Sequence, residues 1–97
     1  MSDTLIMEFE AKPEIGDGMG AALKAALPDT RAFDGCVKLD VLRSTENPNV
    51  WTLVEEWKSK AHHAKYAQWR TETGFMDKMM STVVAPPKQT WHQSFDA

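Results

Sequence analysis

The stretch HHAKYAQWR, residues 62–70, places two histidines, a tyrosine, a tryptophan and an arginine within nine positions. Imidazoles exchange protons near neutral pH, phenol and guanidinium groups can steady a developing oxyanion, and indoles offer flat apolar surface. On a helix, at about 100° per residue, His63, Tyr66, Ala67 and Arg70 share one face. His62 and Trp69 form an adjacent stripe, while Ala61, Lys65, Gln68 and Glu72 turn to water. An inward face of this composition is costly to bury unless its polar groups find partners. Two readings stand side by side: a chemical site, or a rim where Tyr66 and Arg70 snorkel and a histidine caps the first turn.

The other chemically suggestive residues point to less. His62, His63 and His92 are not expected to hold a metal, because adjacent helical side chains diverge and no ligand spacing links them to His92. Cys36 is the single cysteine, which excludes an intrachain disulfide and a two-cysteine metal site. Glu55 and Glu56 are neighbours on a strand and point to opposite faces; one edge salt bridge and one solvated acid are expected. GDGMGA, residues 16–21, matches the glycine fingerprint of dinucleotide sites. That fingerprint requires a parallel crossover in a larger sheet, so it is read as a flexible helix start. Met76, Met79 and Met80 fall at helical spacing, as core packing that doubles as a soft wall for an apolar ligand.

The elements that would position these residues follow from periodicity. Residues 4–11 alternate as a strand with Leu5, Met7 and Phe9 on one side. Ile15, Met19, Leu23 and Leu27 mark a helix over Glu14–Leu27, which Pro28 is expected to end, leaving DTRAFDG as a connection. Residues 36–43 and 50–57 flank the turn-rich STENPN and predict an antiparallel hairpin. Ser59 is placed to cap the helix carrying HHAKYAQWR, Gly74 interrupts it, and FMDKMMSTVV continues as a second helical piece until Pro86. KQTWHQSF supplies a last strand. The order β-α-β-β-α-β predicts an α+β, ferredoxin-like fold: a four-stranded antiparallel sheet with helices on one face.

The chain has 97 residues with 42% hydrophobic and 26% charged content, which suits one soluble domain over residues 1–97. A net charge of −3 without a basic cluster argues against nucleic-acid binding. The N-terminus does not read as a signal peptide and no apolar run is long enough for a membrane span, so a cytoplasmic protein is expected. The aromatic-rich sheet needs cover on its second face, and a two-fold homodimer is the expected solution.

Residues 33–74, FDGCVKLDVLRSTENPNVWTLVEEWKSKAHHAKYAQWRTETG, resemble the antibiotic biosynthesis monooxygenase (ABM) family. They mirror its run of Gly-Cys, strand, Asn-Pro turn, strand ending Glu-x-Trp, and helix. The Y-x-x-W-R-x-x-x-G segment from Tyr66 to Gly74 is similar to a quinol monooxygenase-like subgroup, and Pro86-Pro87 before the last strand agrees. The resemblance implies a dimeric α/β-barrel with two sheets face to face and a pocket between each sheet and its helices. Some relatives oxidise phenols or quinols with O₂ and no cofactor, some degrade haem, and some have no known activity. The haem branch uses an Asn in the first strand, absent from LIMEFEA, and a helix Trp where Tyr66 stands; haem is disfavoured. The implied function is a cofactor-independent monooxygenase acting on a small aromatic or quinol-like molecule and O₂. The alternative is a small-ligand binding protein without turnover. The implied catalytic residues are His63 as base, Tyr66 as hydrogen-bond donor and Arg70 as oxyanion partner. Trp57, Trp69, Met76 and Trp91 would supply the substrate-binding surface, with no metal.

Overall fold

A computed structural model describes residues 2–97. Its elements are β1 (Asp3–Glu10), α1 (Gly18–Ala32), β2 (Cys36–Arg43), β3 (Val50–Trp57), α2 (Lys60–Glu72), α3 (Phe75–Met80) and β4 (Lys88–His92). The strands form one antiparallel sheet in the order β2-β3-β1-β4. This is the ferredoxin-like α+β arrangement, with a third, short helix added after α2.

Alternation sorts the sheet into two faces. Leu5, Phe9, Trp51, Leu53 and Trp57 are buried, and they meet across the β1–β3 ladder, where Met7 lies opposite Leu53 and Phe9 opposite Trp51. Met19, Leu23 and Leu27 of α1 pack into the same core, joined by Leu39 and Val83. The second face carries Ile6 opposite Val54, and Leu42 on β2 is more than half exposed. Tight local chemistry makes the β2–β3 turn. Ser44 Oγ accepts from the backbone N–H groups of Glu46 and Asn47, and Asn47 Oδ1 accepts from that of Asn49, the side-chain mimicry typical of such turns.

Two helices depart from their expected limits, the first of them at both ends. The first helix begins at Gly18, not Glu14, because residues 13–17 form turns and Gly16 sits at φ 52°; Ile15 still packs on the core. Its other end runs through Pro28 to Ala32. Proline removes one N–H and crowds the carbonyl four residues back, yet Leu27 and Thr30 on either side are buried. Arg70 donates from Nη2 to the Ala26 carbonyl at 2.7 Å. Tertiary contacts therefore carry the helix past the proline. The segment after Gly74 is helical only to Met80; Val83 then bridges Ala11, so the end of FMDKMMSTVV is extended beside β1.

Ser59 caps α2, accepting from the His62 backbone N–H at 3.2 Å. Gly74, at φ 78°, separates α2 from α3. None of the described helices is long and apolar enough to cross a membrane.

Candidate active site

Between the sheet and the helices lies a cavity of about 280 Å³. The sheet contributes Met7, Phe9, Leu53 and Glu55; α1 contributes Leu23, Leu27 and Thr30; α2 contributes His63, Tyr66 and Ala67. Phe75, Met76, Met79 and Met80 close one side, and Val83, Pro87 and Gln89 complete the lining. Thioethers are flexible and polarizable, so the three methionines of α3 in one wall, with Met7 across from them on the sheet, adapt to an apolar occupant. The volume lies near the lower end of the roughly 300–1,000 Å³ usual for ligand pockets. It suits a molecule of a few rings.

The polar groups of the cavity are organised by Arg70. This residue is 5% exposed, and among the described residues no carboxylate pairs with it. Its guanidinium donates from Nε to the Tyr66 hydroxyl at 2.8 Å and from Nη2 to Thr30 Oγ1 at 2.9 Å. The faces of Phe75 and Trp69 lie 4.1 and 4.7 Å from its Cζ. Arg70 also stands in the last turn of α2, where a cation complements the helix dipole. Tyr66 and Thr30 are themselves 2.7 Å apart. Since both oxygens already accept from Arg70, one of them donates to the other and a single O–H proton is left over. Both residues line the cavity.

His63 is half-buried, and burial pushes its imidazole below the ordinary value. It packs edge-on against Trp57 and Trp91, at centroid distances of 5.3 and 5.2 Å. Glu55 is 3% exposed. Burial raises its carboxyl above the usual range, partly opposed by the hydrogen bond that Trp57 Nε1–H donates to Oε1 at 2.9 Å. The Cys36 thiol is raised by burial and then by the charge of Glu55, with Arg31 acting in the opposite sense.

Of the residues singled out from sequence, the cavity lining includes His63, Tyr66 and Met76. Arg70 lies behind Tyr66, and Trp57 is fully buried beneath Tyr66 and His63. Trp69 packs on Phe33 and Arg70, and Trp91 lies on the far side of His63 under Lys60. These three indoles support the cavity without belonging to its lining. His62 bonds Ser59 and His92 bonds Thr90. Among the described residues no three His, Cys, Asp or Glu side chains converge as a metal site.

Sequence reasoning missed Glu55 and Thr30. The expectation of an edge salt bridge and a solvated acid is corrected: Glu55 is buried without a cationic partner, and Glu56 accepts from Ser2 Oγ at 2.7 Å. The signal was the parity of β3, where Trp51, Leu53, Glu55 and Trp57 are all buried. Arg70 likewise is buried, with Nε and Nη2 engaged; it does not snorkel.

The sequence profile of the antibiotic biosynthesis monooxygenases matches residues 4–76, and the chain belongs to that family. Solved structures agree in fold. A conserved protein from Methanosarcina mazei superposes with a TM-score of 0.86 at 17% identity, covering 98% of this chain and 94% of its own. A protein from Mycobacterium tuberculosis gives 0.85 at 21% identity, over 100% and 98% of the two chains. A Nitrosomonas europaea protein named for the same family gives 0.86 at 16% identity, over 96% and 89%. No curated protein matches the sequence closely enough to count as a relative.

Proposed function

We propose that the protein is a cofactor-independent monooxygenase that oxidises a small phenolic or quinol substrate with O₂, in line with its family and the quinol monooxygenase-like segment Tyr66–Gly74. The observation that carries this reading is the apolar cavity in which His63 and the Tyr66–Thr30 hydroxyl pair are the polar groups contributed by the helices. His63, kept neutral by its burial, accepts the substrate hydroxyl proton. The free proton of the Tyr66–Thr30 pair hydrogen-bonds the resulting phenolate. Arg70 acts through Tyr66 as a positioning residue, not by direct contact. The electron-rich phenolate then passes one electron to O₂, giving a phenoxyl radical and superoxide within an apolar enclosure that excludes water.

The test is an oxygen-electrode assay over a panel of hydroquinones and polycyclic phenols. Uptake above buffer that His63→Ala largely removes is expected. No uptake on any compound would leave the second reading, a small-ligand binding protein. The engagement of Nε and Nη2 of Arg70 by Tyr66, Thr30 and Ala26, with Arg70 outside the cavity lining, favours that alternative, because it turns these donors away from an occupant.

The working form in this proposal is a cytoplasmic homodimer. The sheet face carrying Ile6, Val54 and Leu42 is uncovered by helices, and a second copy would bury it. Light scattering at micromolar concentration should give twice the chain mass, and Val54→Lys should halve it; a monomeric wild type would overturn the dimer.

A further inference from the structure

Glu55 is the only acid among the buried residues of the sheet and helices described. It sits in the middle of β3 between Leu5 of β1 and Leu39 of β2, and it lines the cavity. One hydrogen bond reaches it, from the Trp57 indole to Oε1. Oε2 takes none from any described residue, and no Lys or Arg pairs with the carboxyl. A buried carboxyl served by one neutral donor is poor stability engineering, since an apolar side chain there would cost nothing to desolvate. The same arrangement leaves one oxygen for an occupant of the cavity.

Trp57 joins this carboxyl to the histidine. Its Nε1–H holds Glu55, and its ring lies 5.3 Å from that of His63. Glu55 and His63 both line the cavity, so a bound ligand has two proton acceptors in its walls. We propose that Glu55 is a further catalytic residue, whose Oε2 takes the proton of a phenolic hydroxyl other than the one that meets His63, such as the second hydroxyl of a quinol bound in the cavity. The ligand O–H bond breaks, an O–H bond forms at Oε2, and the electron pair stays on the phenolate oxygen. The assignment rests on the reading of the cavity as a site for a phenolic ligand, and it does not need turnover. The upward shift of the carboxyl by burial makes its ionised form a stronger base than a surface glutamate. Burial raises it and the Trp57 hydrogen bond opposes the rise; the titratable groups that share the cavity lining are His63 and Tyr66 from α2, and the Cys36 thiol of β2 feels its charge.

The probe is 2-naphthol, which in its excited state gives up its proton to an acceptor within reach and then emits as naphtholate. Binding is followed by fluorescence polarization, and the naphtholate-to-naphthol emission ratio of the bound probe reports transfer. Glu55→Gln keeps the shape and an acceptor for Trp57, and should lower that ratio about tenfold. An unchanged ratio with naphthol bound, or a ratio that follows His63→Gln alone, overturns the assignment. Failure of 2-naphthol to bind the wild-type protein overturns it as well.

Should Glu55→Gln fold poorly, infrared difference spectroscopy on the wild-type protein reads the same group. The carbonyl band of a protonated, solvent-shielded carboxyl should shift on naphthol binding across a pH series; no shift overturns the proposal. Loss of transfer in Glu55→Gln with no O₂ uptake on any phenol keeps this assignment and removes the oxygenase reading. O₂ uptake retained in full by Glu55→Gln does the reverse.

Discussion

Arg70 donates from Nε to the phenolic oxygen of Tyr66, one helical turn earlier, at 2.8 Å, and from Nη2 to Thr30 on α1 at 2.9 Å. One planar cation thus sets the orientation of two hydroxyls from helices far apart in sequence. Arg70→Ala removes three charge-assisted bonds and the packing on Phe75 and Trp69. It should cost about 2–4 kcal/mol, read as a lower urea midpoint. Arg70→Lys should recover little of it, because an ammonium cannot reproduce the fork. A midpoint unchanged in Arg70→Ala would show that the network does not stabilise the fold.

His63 should titrate below 6.5, since burial is what lowers it. The sign is that of a depressed group. Its contribution to stability is present above pH 6.5 and is lost as pH falls through the lowered value. Proton NMR of the imidazole gives the midpoint directly, and the acid limb of kcat/KM should fall with it. A midpoint at or above 6.5 would contradict the packing against Trp57 and Trp91.

Glu55 should act in the opposite sense. Its folded value is raised above 4.5, so its contribution is complete below pH 4.5 and is lost as pH rises through the raised value. Denaturation free energy compared between wild type and Glu55→Gln over that window should show the variant gaining on the wild type as pH increases. Parallel curves would mean that the carboxyl titrates as if exposed.

Gly35 is expected to tolerate no side chain. Its φ is 94°, and a Cβ there would lie 2.4 Å from His62 Cβ and 2.5 Å from two of its ring atoms. Gly35→Ala should cost about 1–3 kcal/mol from the backbone conformation alone, with steric overlap added. In the double variant with His62→Ala, only part of the loss should return. Full recovery of the melting temperature would assign the whole cost to the clash.

Much of this architecture was legible because the hairpin wrote itself twice, in the alternation of residues 36–43 and 50–57 and in the turn residues between them. The inward stripe of α2 was also visible, since its four positions are fixed by helical geometry alone. Pro28 misled because its rule is local, whereas Leu27, Thr30 and Arg70 hold the helix through contacts that a local rule does not contain. Glu55 was hidden by its type. The pair Glu55–Glu56 was read as acids needing water or a cation, although the strand's parity put one of them in line with Trp51, Leu53 and Trp57. The role of Thr30 could not be seen at all, because its partners lie 36 and 40 residues away.

Because Arg70 fastens α2 to the last two turns of α1, the two helices cannot lift from the sheet one at a time. Admission of a molecule to the compartment beneath them then resembles the raising of a hinged double shutter. The same motion that lets a guest in exposes the amides of both helices together. A bound guest should therefore slow hydrogen exchange in α1 and α2 by a common factor while leaving the β2–β3 hairpin unaffected.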